Sequence, residues 1–302
     1  MPLDISLPPR DALPDLLGLL GIPESEVGEI VVAAPSPERD PHVWQRVQRF
    51  ARRLVDDMGG FEELPELPPM PPEWGARGRY FYLYVFLAVL PHTRAYHRHR
   101  GIPDDIAWDT LAGLGGHVIG YRRTHEVGGM DGQDWLTLHF RGGIYRLGRL
   151  MFNRGQLDHL APAVRATGLP YDERSPALGV HIPPGGGLTP EVCDASFQQA
   201  REFFATHFPE EDYRLARCGS WLLDNQLADY LPAGSNIVRF QRRFRLAEHW
   251  HDGDRDAWGA AFDAPAGTPL SELPRQTRLQ RAVLDHLASG RHWRIRFGWL
   301  EL

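Results

Sequence analysis

Apolar residues recur at helical spacing through the first part of the chain. Asp11–Leu20 reads as a short helix. Val43–Met58 sets Val43, Val47, Phe50, Ala51, Leu54 and Val55 on one face, with Arg on the other. Leu64–Trp74 is proline-rich and reads as an extended strap. Gly78–Arg98 is an aromatic-rich helix carrying Tyr80, Tyr82, Leu83, Val85, Phe86, Val89 and Leu90, kinked or ended at Pro91. Asp104 or Asp105 is positioned to cap a further helix, Ile106–Thr124, in which Gly113, Gly115, Gly116 and Gly120 point to close helix–helix approach. The block up to Gly132 is therefore expected to be a mostly helical N-terminal domain, residues 1–132.

The pattern changes at Asp134. Trp135–Phe140 and Ile144–Phe152 alternate around Arg141-Gly142-Gly143 and read as a hairpin. Leu157–Thr167 is ambiguous in its pattern, with a short helix as one reading. Leu178–Ile182 is a short buried strand, Pro190–Phe208 a helix and Tyr213–Leu223 a strand. Asp224–Leu231 and Asn236–Phe244 are short helices. Arg245–Trp250 and Trp258–Phe262 read as strands, Thr277–Ser289 as a helix and His292–Leu302 as an alternating strand. Such mixing predicts an α/β (α+β) domain over residues 133–302, one sheet covered by helices.

One segment combines a strand end, a glycine loop and a helix start. Leu178–Ile182 is followed by Pro183, Pro184, Gly185, Gly186, Gly187 and Leu188, then Thr189 as N-cap and Pro190 at the first helical position. A glycine loop feeding a helix N-terminus presents unbonded N–H groups and a positive dipole end, which suits phosphate or pyrophosphate. The same residues also fit a plain surface loop with an ordinary cap.

Composition narrows the chemistry. The chain has 302 residues, 42% of them hydrophobic, with a net charge of -6. With a pI near 6.2 it lacks the basic balance of a nucleic-acid binder. All 33 basic residues are Arg, which removes P-loop and Schiff-base mechanisms, both of which need Lys. Cys193 and Cys218 form no CxxC pair, so no structural zinc site is expected. Met1–Arg10 has no basic and apolar leader pattern, and the longest apolar stretch, Tyr80–Pro91, is too short to span a bilayer. A cytoplasmic protein with no membrane partner is expected.

The order hairpin, strand, glycine loop, long helix, strand, short helix, strand resembles the GNAT fold of acyl-CoA-dependent N-acyltransferases. Four blocks are similar to a bacterial acyltransferase family with a helical N-terminal domain and a GNAT-like C-terminal domain. They are Tyr145–Leu150, Val180–Pro183, Cys218–Asp224 and Ser235–Gln241. The resemblance implies coenzyme A or acyl-CoA as co-substrate, a small-molecule amine as acceptor and no metal. A carrier-protein pantetheine is the alternative acyl source. It implies that Ile182, Gly185, Gly186, Gly187, Leu188 and Thr189 wrap the pyrophosphate and that Asn225 contacts the pantetheine. The loop lacks the leading Gln or Arg of the usual GNAT consensus.

Acyl transfer to an amine needs a base, N–H groups that polarise the thioester and an acid for the leaving thiolate. His181, at the strand end, is the candidate base; a hydrogen-bonded structural histidine is the competing reading. Ser220 is expected to line the acyl site beside Cys218, and Ser235 to supply the acid or cap the next helix. Asp224 reads as an N-cap. Arg149 is expected to meet an anionic substrate group or to pair with an acid such as Asp158. His97–His99 reads as a solvated helix end. His249–Asp254 loosely resembles a metallo-hydrolase motif without its final His. Two alternative functions follow: a non-catalytic binding module on the same fold, and a metal-dependent hydrolase.

Overall fold

The computed structural model describes residues 5–64, 67–262, 264 and 267–302. Parts of the Met1–Arg10 and Leu64–Trp74 readings lie outside these. The chain divides into two compact units, Met1–Arg146 and Leu147–Leu302.

The first unit is helical: α1 (Leu13–Leu19), α2 (Glu24–Ala33), α3 (Pro41–Asp56), α4 (Gly75–Arg79), α5 (Phe81–His99), α6 (Asp104–Leu111), α7 (Gly113–His125) and α8 (Gln133–Arg141). Helix α5 is its axis, buried at every position from Phe81 to Leu90. A helix apolar all round belongs inside a bundle, and α3 packs its Val43, Val47, Phe50, Ala51 and Leu54 into the same core. The helix continues through Pro91 to His99 rather than ending there. His97 is fully buried, so His97–His99 is not simply a solvated end.

Three other expectations are corrected in this unit. The helix expected over Ile106–Thr124 is two helices that break at Ala112. A Cβ at Gly115 would come within 1.9 Å of the Gly21 carbonyl, so glycine here lets the turn after α1 dock on the break, where Gly115 N–H donates to Leu20 O at 3.0 Å. Asp104 is not a cap: Pro103 holds that position, and Asp104 pairs with Arg94. Trp135–Phe140 is not a strand but lies in α8. Its Leu136, His139 and Phe140 fall on one buried face at helical spacing, and left-handed glycines, Gly132 and Gly142, close both ends.

The sheet has order β1-β2-β3-β4-β6-β5. Its strands are β1 (Ile144–Leu147), β2 (Leu150–Asn153), β3 (Ala177–His181), β4 (Leu215–Ser220), β5 (Arg245–Asp252) and β6 (Arg294–Glu301), and the unit division falls inside β1. The hairpin thus lies within Ile144–Phe152, turning at left-handed Gly148. Pairs β2–β3, β4–β6 and β5–β6 are antiparallel, and β3–β4 is parallel. Leu157–Thr167 forms a 3-10 turn and the short α9 (Ala161–Arg165). Helix α10 (Pro190–His207) links β3 to β4, and α11 (Asn236–Gln241), α12 (Asp254–Ala261) and α13 (Arg278–Ala288) complete the unit. Trp258–Phe262, read as a strand, belongs largely to α12, where Ala257 and the rings of Trp258 and Phe262 pack against Val283 and Leu284 of α13 and their neighbours.

Candidate active site

The parallel pair β3–β4 is short. Its register runs Ala177↔Leu215, Leu178↔Ala216 and Gly179↔Arg217, then stops. Strand β3 continues to His181 and β4 to Ser220 without pairing to each other, so a wedge opens between them at the sheet's C-terminal end. Open α/β sheets bind ligands at such points, where neighbouring strand ends part.

The glycine loop starts at this wedge. Gly185 and Gly186 are left-handed, with φ of 78° and 64°, which side chains rarely adopt. Ile182 and Thr189 are half-buried, Leu188 is buried, and the three glycines are exposed. Thr189 caps α10 as expected: its hydroxyl accepts from Val192 N–H at 3.5 Å, with Pro190 following. The start of a second helix lies alongside. Asn236 Nδ2 is 3.9 Å from where a Cβ on Gly187 would sit, and Ser235 caps α11 by accepting from Val238 N–H at 3.4 Å.

Arg149 lies against this loop. Its side chain donates to Gly186 O at 3.4 Å, and the hairpin turn that carries it is fastened by Ser196 Oγ, which accepts from Arg149 N–H at 2.9 Å. Its expected partner, Asp158, instead pairs with Arg217 at 3.1 Å. Arg243 is engaged by Asp194 and by Pro190 O, so it braces the start of α10.

His181 is half-buried, and its Nε2 is 2.7 Å from Asn153 Oδ1 on β2. Asn153 Nδ2 donates to Arg154 O at 2.7 Å, which turns the amide oxygen toward the imidazole. Nε2–H is therefore the donor, and Nδ1 is the basic nitrogen of the ring. Desolvation, followed by the positive charge of Arg217, pushes the His181 pKa down to about 4, so the ring is neutral at pH 7.

The remaining predicted residues have clear local roles. Ser220 accepts from Leu222 N–H at 3.1 Å and caps a 3-10 turn. Strand alternation from the Gly179↔Arg217 pair sets Ser220 on the opposite sheet face from His181, so the two are not brought together. Cys218 is buried, and desolvation raises its pKa to about 12, so it stays a thiol. Asp224 is fully buried, and its oxygens accept from Gln226 N–H, Gln226 Nε2 and Arg294 N–H at 2.9–3.1 Å, the cap expected of it. Exposed Asn225 accepts from Arg296 at 3.1 Å. Among the described residues no group of three or more His, Cys, Asp or Glu is arranged to hold a metal. The histidines of the hydrolase-like motif, His249 and His251, pack instead on Phe297 with centroids 4.9 and 5.0 Å away.

Sequence reasoning missed Asn153, Arg217 and Asn236, which reach the site only through strand pairing or helix packing. One signal was visible: Gly179 inside a strand, where glycine marks a close approach.

The GNAT-like C-terminal domain family matches residues 144–300, and the N-acyltransferase N-terminal domain family matches residues 11–142. Among solved structures, an acyltransferase in complex with decanoyl-CoA and teicoplanin is 41% identical over 100% of this chain and 91% of its own, with a TM-score of 0.90. A mutant acyltransferase in complex with octanoyl-CoA is 40% identical over the same shares, also at 0.90. An acyltransferase with CoA and 10C-teicoplanin is 40% identical, at 0.89. None of the curated proteins matches. The chain belongs to the GNAT-like acyltransferases, enzymes that take an acyl group from acyl-CoA. No helix among the described residues is long and apolar enough to cross a membrane.

Proposed function

We propose that this enzyme transfers a medium-length acyl chain from acyl-CoA to the amine of a bulky small-molecule acceptor, with its site at the β3–β4 wedge. The single observation that carries this reading is the end of strand pairing at Gly179↔Arg217, directly before the left-handed glycine loop and the capped start of α10. The loop from Ile182 to Thr189 offers backbone N–H groups to the CoA pyrophosphate, and Arg149 adds a guanidinium beside it. The pantetheine route is taken to pass exposed Asn225, while Ser220, on the sheet face away from His181, keeps its capping role. Relatives bound to octanoyl-CoA, decanoyl-CoA and teicoplanin support the donor length and the acceptor class. A carrier-protein arm has the same pantetheine, but a loop built for pyrophosphate favours CoA itself. A cytoplasmic location follows from the need for intracellular acyl-CoA.

In the reaction the acceptor amine attacks the thioester carbonyl carbon. Neutral His181 takes the amine proton on Nδ1 as the C–N bond forms. The C–S bond then breaks, and the CoA sulfur leaves as a thiolate and is protonated, giving amide and free CoA. Ser235 is our candidate for the acid, since accepting the cap bond from Val238 N–H still leaves its own hydroxyl proton to donate, and the serine oxygen regains a proton from solvent.

Turnover with decanoyl-CoA and an amine acceptor, followed by release of CoA thiol, tests the reading. His181→Ala is expected to lower kcat by about 100-fold or more with little change in acyl-CoA affinity. Unchanged turnover would remove His181 as the base, and absence of CoA binding by the wild type would remove the site.

A further inference from the structure

Asn153 stands opposite Gly179 in the β2–β3 register, not opposite His181, which pairs with Met151. Its amide must therefore cross over Gly179 to reach the imidazole. A Cβ on residue 179 would sit 1.9 Å from Asn153 Oδ1, so any side chain there displaces the amide. Gly179 has no positive φ to account for it; it is glycine because the space above it belongs to Asn153.

Asn153 is itself nine-tenths buried, and its two amide ends are both engaged, Oδ1 by His181 and Nδ2 by Arg154 O. A buried amide tied at both ends cannot rotate without breaking two bonds, so it fixes which ring nitrogen of His181 carries the proton. Among the described residues, Arg217 on β4 is a charged group that acts on His181, and it is itself paired with Asp158.

Resting on the reading of His181 as base, we propose that Asn153 is a positioning residue that holds His181 in the Nε2–H tautomer, and that Gly179 is the notch through which it acts. The Nδ1 lone pair is then the one aimed at the acceptor amine. Without Asn153 the ring is expected to populate both tautomers and more than one rotamer. A fraction of the molecules would then lack the basic nitrogen where the amine arrives.

Nitrogen-15 NMR of histidine-labelled enzyme reads the tautomer directly, with the His181 signals assigned by their loss in His181→Ala. The wild type is expected to show His181 protonated on Nε2, and Asn153→Ala a mixture of tautomers. Kinetically, Asn153→Ala is expected to lower kcat about tenfold or more while KM for decanoyl-CoA changes less than about twofold. Gly179→Ala, whose added methyl meets the Asn153 amide first, should reproduce both changes, and the double variant should be no worse than the worse single one. Asn153→Asp sets a carboxylate beside the ring, with Arg217 and Asp158 unchanged, and should move the acid limb of the pH–rate profile upward. That shift is one a merely structural role would not produce. If His181→Ala retains turnover, the base reading and this proposal fall together. If His181→Ala is inactive but Asn153→Ala and Asn153→Asp leave tautomer, kcat and acid limb unaltered, the positioning role alone is wrong.

Discussion

The guanidinium of Arg149 donates to the carbonyl oxygen of Gly186 at 3.4 Å, joining the β1–β2 turn to the glycine loop. This contact orders the loop and leaves a permanent positive charge at its rim. Arg149→Ala is expected to weaken CoA binding about tenfold, the value of one charge-assisted contact of about 1.4 kcal/mol, with kcat at saturation little changed. Isothermal calorimetry with CoA, alongside kcat at saturating acyl-CoA, checks both halves.

The three loop glycines should respond differently to alanine. Gly185 and Gly186 are left-handed, and a Cβ on Gly186 would also sit 3.2 Å from Arg149 Nε. Gly187 has no positive φ, and its nearest Cβ contacts are an ordinary 3.8 and 3.9 Å. Gly185→Ala and Gly186→Ala should each distort the loop at a cost of about 1 kcal/mol or more and weaken CoA binding, while Gly187→Ala should bind nearly as the wild type. Equal losses at all three positions would mean that the loop's conformation is not what binds CoA.

Neither thiol should be reactive in the native enzyme. Cys193 and Cys218 are both buried, and burial raises both pKa values, that of Cys218 to about 12. The thiolate is the reactive form, so maleimide at pH 7.5 should label neither residue and leave activity intact until the protein unfolds. Rapid stoichiometric labelling of the native enzyme would contradict the packing described around β4 and α10.

The helical unit should be acid-sensitive through His97. Burial, then the charge of Arg94, pushes its pKa down to about 4 against the opposing pull of Asp104, and neither ring nitrogen has a hydrogen-bond partner among the described residues. A histidine whose folded pKa lies below its unfolded value binds fewer protons folded than unfolded. Its neutral form therefore burdens the fold increasingly as pH falls from about 6.5 toward 4, by up to about 3 kcal/mol. His97→Phe should leave stability near pH 7 within about 1–2 kcal/mol and flatten the loss between pH 6.5 and 4, measured by urea unfolding across that range.

What the sequence disclosed and what it hid separate along physical lines. The strand, glycine loop and capped helix from Leu178 to His207 were legible because Gly, Thr and Pro carry their conformational preferences locally. Residues 135–140 were misread because alternation over six residues also fits a buried helical face, and the left-handed caps at Gly132 and Gly142 decided for the helix. The pairing of Arg217 with Asp158, and the reach of Asn153 across Gly179 to His181, could not be read, since both depend on strand register between segments far apart in the chain.

Hydrogen–deuterium exchange with and without decanoyl-CoA tests the central claim most directly. Binding should slow exchange in residues 182–192, covering the glycine loop and the first turn of α10, and in residues 235–238 at the start of α11. Binding that leaves both segments unprotected, or no binding at all, would contradict the placement of acyl-CoA at the β3–β4 wedge.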